Sequence, residues 1–287
     1  MAMLRLHVFN TGWVSVPERQ LFVGGGRGMR TLPVLCFAIE HPQGLVVFDT
    51  GLNAAFATRP RQYAGWLNER TTRFRASPGM ALSQQMEDHG LDPQDVTHVV
   101  LSHLHYDHTG DLCAFSRAQV MLSRQEWEMA QRPFCSLRGY LPHEFDQAEL
   151  SQLDLATDVS PALSDIAQQL YGHDLLGDGT LVVVPTFGHT AGHQSLLAFM
   201  PHGVVLLAGD AVYAQENYAM PAAQPSPNNA DLAWRSLIGV RALSQGDPAA
   251  LIVPCHDDRA LGGLDRPDVV VHNRLAPPPL TVSSRLR

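Results

Sequence analysis

Residues 103–108 read His-Leu-His-Tyr-Asp-His and place four metal-capable side chains in six positions. The apolar run Val96-Thr97-His98-Val99-Val100-Leu101 before them predicts a buried strand, and Thr109-Gly110-Asp111 after them predicts a turn. His103, His105, Asp107 and His108 are therefore expected on a loop at a strand's end, where open sheets place their chemistry. Packing alone does not explain such a group. Neutral imidazoles beside a carboxylate suit zinc or a similar borderline divalent ion.

With 287 residues and 45% apolar content the chain can bury one large core, and no linker divides it, so a single domain over residues 1–287 is expected. The charge balance narrows the partners. Charged residues make up 17%, the formal net charge is -8, and no dense Lys/Arg block occurs, which argues against nucleic acid. The N-terminus lacks a basic-then-apolar signal pattern, and no segment approaches the roughly 20 apolar residues of a membrane span. A soluble cytoplasmic protein without a membrane partner is expected. Cys36, Cys113, Cys135 and Cys255 form no Cys-x-x-Cys pair, so buried free thiols are expected rather than disulfides or a thiolate zinc site.

Residues 4–9, 33–40 and 45–48 read as strands, the last two joined by the turn residues His41-Pro42-Gln43-Gly44. Between the first two, Gly24-Gly25-Gly26-Arg27-Gly28 has no Gly-Lys-Ser/Thr ending and no helix directly after it, so a phosphate loop is not expected. A loop at the site or an oligomer contact, as in a homodimer, is. Asp49 closes the third strand, either as a turn cap or as a carboxylate that orients a metal-ligating histidine. Residues 52–76 are polar and irregular; Ser77-Pro78 then predicts a helix start, with Leu82 and Met86 inward and a stop near Gly90. His89 is expected to cap it.

Past the cluster, 119–122 predicts a strand and 123–131 a helix whose Ser-Arg-Gln-Glu start fits a capping box. Residues 132–179, with a further helix start at Ser160-Pro161, carry a weak pattern and are expected to be an insertion that shapes a pocket. His143 and His173 within it are expected at the surface. Strands follow at 181–185, 195–200, 203–208 and 251–253, with a helix at 228–244 whose stripe Ala230, Ala233, Trp234, Leu237 and Val240 predicts a core face. From about 259 a loose extension containing Pro277-Pro278-Pro279 is expected.

Three more polar residues stand where apolar strands stop: His189, Asp210 and His256. Each alone could be a turn residue. Their repetition at strand ends points to one shared edge, because adjacent strands deliver their ends together. Five histidines and two aspartates then suffice for two divalent ions that share a carboxylate, roughly 3.5–4 Å apart, with a water of lowered pKa between them. No side-chain nucleophile is needed. No Gly-x-Ser-x-Gly elbow occurs, and Cys255 neighbours His256 only along the chain.

These residues resemble the metallo-β-lactamase superfamily through Ser102 to His108, Gly188 to His193, Gly209-Asp210, His256 and Asp49-Thr50-Gly51. The resemblance spans residues 4–258 and implies an α+β fold, the four-layer αβ/βα sandwich, with metals on the shared edge of two sheets. It implies that His103, His105 and His189 hold one ion, that Asp107, His108 and His256 hold the other, and that Asp210 bridges them. His105 stands where di-iron redox relatives usually carry glutamate, which implies hydrolysis. Within the superfamily the chain looks most like the N-acyl homoserine lactonases, through residues 102–110, 188–195 and Gly209-Asp210-Ala211-Val212-Tyr213 followed by Glu216-Asn217-Tyr218.

That likeness implies opening of a lactone ring by a metal-bridging hydroxide, with Tyr213 on the lactone carbonyl and Asp107 passing a proton to the leaving alkoxide. His193 is expected to be structural. Another ester, such as a small lactone, a thioester or an organophosphate triester, would use the same core. The out-of-class alternative is a non-catalytic metal-binding or ligand-sensing protein.

Overall fold

The computed structural model describes residues 4–71, 73–77, 79–155, 172–220, 222–224, 227–257, 264 and 266–272. Leu35, Phe37 and Ile39 share one face of their strand and Cys36 and Ala38 the other, and both faces are buried. A strand covered on both sides reads as an unbroken apolar run, which is how this chain's strands read.

One sheet holds β1 (Arg5–Pro17), β2 (Met29–His41), β3 (Gly44–Phe48), β4 (Arg73–Arg75), β5 (Val96–Val100), β6 (Gln119–Ser123) and β7 (Leu150–Leu153). A second holds β8 (His173–Asp174), β9 (Leu181–Pro185), β10 (Gln194–Met200), β11 (Gly203–Gly209) and β12 (Leu251–Pro254), and β13 (Val269–Val271) returns to the first. The orders are β13-β1-β2-β3-β5-β6-β7, with β4 also on β1, and β12-β11-β10-β9-β8. Leu35, Phe37, Phe48 and Val100 meet Leu181, Val183, Leu196, Leu207 and Val253 between the sheets. Outside, Leu82, Met86 and Met129 cover the first sheet, while Leu237, Val240 and Leu243 cover the second. The result is the αβ/βα sandwich. Each of these side chains contributes about 1.5–3 kcal/mol by leaving water.

The elements differ from expectation where local chemistry misleads. The first strand is expected over residues 4–9, yet β1 runs on through Asn10-Thr11-Gly12 on a bulge, with Gly12 N–H donating to Asn10 Oδ1 at 3.1 Å and Thr11 Oγ1 to Val34 O at 3.0 Å. β1 and β2 therefore form a long hairpin that overhangs the sheet edge, and the glycine run turns back at its tip, where Glu18 N–H donates to Gly28 O and Arg19 N–H to Gly26 O. Residues 52–76 are not irregular: a helix at Ala55–Thr58 and a helical stretch over Pro60–Thr71, broken at Gly65 with φ +85°, precede β4. The next helix spans Leu82–Asp88 and starts at Ala81 instead of Ser77, while His89 Nδ1 meets Gln85 O at 2.8 Å as expected of a cap.

Ser123 caps the helix Arg124–Ala130, but the Glu126 carboxylate turns away from Ser123 N–H, so the capping box is half made. The described parts of 132–179 are woven into the sheets, since β7 pairs parallel with β6 and β8 antiparallel with β9. β13 likewise brings the region after 259 back against β1. In the helix Ala230–Gly246, Leu237 and Val240 are buried, but Ala230 is exposed, Ala233 half-buried and Trp234 44% exposed, so the core face begins only at Ser236. Cys36 and Cys255 are buried; Cys113 is exposed and Cys135 half-buried, contrary to expectation. The segment at Ser160-Pro161 and the prolines 277–279 lie outside the described residues. No helix among the described residues is long and apolar enough to cross a membrane.

Candidate metal centre

β3, β5, β9, β11 and β12 each lead, within one to four residues, to a polar residue of the site: Asp49, Ser102 with His103, His189, Asp210 and His256. β5 and β3 run parallel, so Asp49 lies beside the start of the loop 102–105, and a single helical turn, Tyr106–Thr109, then carries Asp107 and His108. β9 leads to His189 through a sharp loop. Gly188 there has φ +131°, and a Cβ on it would fall 2.0 Å from the Ala233 nitrogen. Only glycine permits that approach, which lets Asn228 and Asn229 N–H donate to the carbonyls of His189 and Gly188. β11 and β12, parallel neighbours, present Asp210 and His256.

The seven residues converge. His105 Nδ1 stands 2.9 Å from His103 Nε2 and 3.2 Å from His189 Nε2. Asp210 divides its carboxylate between two groups: Oδ2 lies 3.3 Å from His189 Nε2 and 3.9 Å from His103 Nε2, and Oδ1 lies 3.2 Å from His256 Nε2 and 3.6 Å from His108 Nε2. Asp107 completes the second group, 3.6 Å from His256 Nε2 and 3.9 Å from His108 Nε2.

The outward ring nitrogens of His103, His108 and His256 are spoken for. Asp49 Oδ2 accepts from His108 Nδ1 at 2.8 Å and from the Ser102 hydroxyl at 2.8 Å, while Asp49 Oδ1 accepts from Ser102 N–H at 2.7 Å. With its proton committed to Asp49, Ser102 Oγ accepts from His103 Nδ1 at 2.9 Å, and Pro33 O accepts from His256 Nδ1 at 2.8 Å. With Nδ1 engaged in each, these three histidines aim Nε2 inward, the face a metal ligand presents. Asp49 holds φ +58°, a left-handed conformation costly for most side chains but open to a short polar one. His193 accepts Asp210 N–H at 2.9 Å through Nε2 and so sets that aspartate's backbone.

Electrostatics favour a cation. Burial and neighbouring imidazoles hold His103 and His105 well below the ordinary histidine range, which leaves them neutral. Burial also opposes a charge on His108 and His256, but for His108 the Asp49 and Asp210 carboxylates outweigh it, and for His256 Asp210 does. Both are held above that range. His108 Nε2 and Asp210 Oδ1 are buried with no hydrogen-bond partner among the described residues. Neutral lone pairs and orphaned polar atoms aimed at common points fit divalent metal, since unpaired buried polar groups are otherwise costly.

Several residues of the site carried no readable signal. Glu126 is fully buried, accepts Leu104 N–H at 3.2 Å and the Tyr140 hydroxyl at 3.0 Å on Oε1, and accepts Gly192 N–H at 3.0 Å on Oε2. It ties the 103–108 loop to the 188–193 loop. A capping-box position explained Glu126 away, and Tyr140 lies in the stretch of weak pattern. Tyr213, 3.1 Å from His189 Nδ1 through its hydroxyl, stands at the floor of a cavity of about 380 Å³ with His105, Asp107, Asp210 and His256. Val14, Val16, Leu21 and Leu32 of the overhanging hairpin, with Phe74, form its apolar walls.

A model of the metallo-β-lactamase superfamily matches residues 29–256. N-acyl homoserine lactonase AttM of Azorhizobium caulinodans is 33% identical over 222 residues, covering 76% of this chain and 80% of the relative. The lactonase of the same name from Agrobacterium fabrum is 33% identical over 221 residues, at 76% and 80% coverage. The fold matches an N-acyl homoserine lactone hydrolase with the product N-hexanoyl-L-homoserine at its catalytic metal centre, with a TM-score of 0.76 over 92% of this chain and 97% of that one, at 21% identity. The chain belongs to the metallo-β-lactamase superfamily, and in sequence it is N-acyl homoserine lactonase-like.

Proposed function

We propose that this protein is a dinuclear metal hydrolase that opens the ring of N-acyl homoserine lactones. His103, His105 and His189 would hold one ion and Asp107, His108 and His256 the other, with Asp210 shared between the two groups. The split of Asp210 between the two groups is the observation that carries this reading. Two divalent ions, zinc by the chemistry of the donors, supply Lewis acidity and a water acidic enough to attack near neutral pH.

The chain's own residues do the rest. The Tyr213 hydroxyl faces the cavity floor and donates to the lactone carbonyl oxygen as negative charge develops there. Burial, with Asp210 and Asp107 nearby, pushes its pKa well above the ordinary tyrosine range, so it remains a donor at working pH. Asp107, half-buried and lining the cavity, would take the proton that the attacking water gives up and pass it to the ring oxygen as the bond to the carbonyl carbon breaks. Asp49 orients His108, and the apolar wall of the hairpin takes the acyl chain and excludes water. Four free thiols fit action in a reducing cytoplasm.

The test is a pH-monitored hydrolysis panel of short- and long-chain acyl homoserine lactones, simple lactones, a thioester and a phosphotriester, run on the native and Tyr213→Phe enzymes. Acyl homoserine lactones should turn over fastest, and Tyr213→Phe should lower kcat about 10²–10³-fold. Preferred turnover of the thioester or phosphotriester, with the lactones untouched, would sink the reading.

A further inference from the structure

At the outer nitrogen of His189 two groups compete, and neither is a carboxylate. Gln224 Oε1 lies 3.2 Å from Nδ1 and the Tyr213 hydroxyl 3.1 Å from it. A tyrosine hydroxyl can donate or accept, so Tyr213 by itself leaves the tautomer open. If Tyr213 donated to Nδ1, the ring proton would sit on Nε2. It would then point at His105 Nδ1 and Asp210 Oδ2, 3.2 and 3.3 Å away, where a ligand lone pair is needed. The Tyr213 proton would also be consumed.

We infer that Gln224 is the positioning residue that settles this competition, fixing the His189 proton on Nδ1 and leaving the Tyr213 proton for substrate. Gln224 is buried at 8% exposure, and its own orientation is decided by chemistry. One end of its amide faces the backbone carbonyl oxygens of Asp210 and Ala211, which only accept, so that end is the NH₂. The other end is therefore the carbonyl. It can only accept, so the hydrogen it meets must be on His189 Nδ1. Nε2 is then bare and aimed at Asp210 Oδ2, and the Tyr213 oxygen has no acceptor at Nδ1 to which it could give its hydrogen. One amide thus links the backbone of Asp210 to the tautomer of His189 and the direction of the Tyr213 hydroxyl.

The inference rests on the metal reading for its consequence and on hydrogen bonding for its content, so the two are tested separately. The tautomer is read from ¹⁵N shifts of the His189 ring in metal-free protein above pH 7. The native protein and Gln224→Glu, which keeps an acceptor, should show the proton on Nδ1; Gln224→Met should move it to Nε2. Zinc affinity, measured by chelator competition, should weaken about 10–100-fold in Gln224→Met and less in Gln224→Glu. A native His189 protonated on Nε2 would overturn the inference, as would a Gln224→Met protein with unchanged tautomer and zinc affinity. Should Gln224→Met fail to fold, the native measurement alone still decides. A native protein that takes up no zinc while showing the Nδ1 tautomer would refute the metal reading and uphold the role of Gln224.

Discussion

Asp210 and Glu126 are both buried carboxylates, and their surroundings give them opposite tasks. Asp210 Oδ1 has no hydrogen-bond partner among the described residues and stands between imidazole nitrogens, which is what a ligand oxygen requires. Glu126 is saturated with donors: two backbone N–H groups and the Tyr140 hydroxyl. Its charge is spread over three bonds, so it holds loops and is not available to bind an ion. Glu126→Gln would set an NH₂ against a backbone N–H and leave that donor unsatisfied. The variant should lose about 2–3 kcal/mol of unfolding free energy in urea titrations. It should also lose metal affinity, because the two loops it joins carry His103, His105 and His189. Unchanged stability would show that the loops hold their places without it.

At the level of elements, β1 and β2 matter most for substrate and β13 for integrity. The hairpin reaches past the sheet edge because the bulge at Asn10-Gly12 twists β1 without ending it. Its overhang meets the segment carrying Tyr213, through Arg30 to Glu216 at 3.1 Å and Val23 N–H to Ala223 O at 2.9 Å. At the opposite end β13 is docked on β1 by His272, whose Nε2 lies 2.9 Å from His7 Nδ1 and whose ring stacks on Phe9 and meets His89 edge-on. Glu40, 2.8 Å from His7 Nε2, and Arg5 complete the charged groups there. Burial, with His89 and His7 near, pushes the His272 pKa down to about 4. A depressed histidine contributes stability above its unfolded pKa of about 6.5 that is lost as pH falls toward 4. Amide-exchange protection of Val269–Val271 should therefore weaken between pH 7 and pH 4.5. His272→Phe, which keeps the stack, should flatten that dependence, and equal pH sensitivity in both proteins would show that another group controls the docking.

For the whole molecule, the two sheets are held by an apolar core, and their common edge by a polar cluster that gathers charge without compensation. A ligand that binds only this assembled edge stabilises the fold by about 2.7 kcal/mol at 100 times its dissociation constant. Zinc should accordingly raise Tm by roughly 5–10 °C over chelator-treated protein, and Asp210→Asn should shrink that shift; no shift in either protein would count against metal at the edge. Much of this was legible in the residues. The spacing of His103 to His108 marks a ligand group because four donors in six positions have no packing account. His189, Asp210 and His256 were found because apolar runs stop near each, and the layers were implied by the resemblance of these motifs to the metallo-β-lactamase superfamily. Local pattern failed where a residue's partner is distant. The first strand was expected to stop at Phe9 because the apolar run stops there, whereas a bulge at Asn10-Gly12 carries it on to Pro17. Trp234 fitted a helical stripe, but where along a helix the buried face begins depends on what packs against it. The sequence by itself determined which donors exist and that strand ends carry them, since periodicity and residue chemistry are local. Only the tertiary structure decided how Asp210 divides its oxygens, that Glu126 and Tyr140 brace the loops, and which nitrogen of His189 meets Gln224. Those are matters of angle and distance between segments that no spacing along a chain encodes.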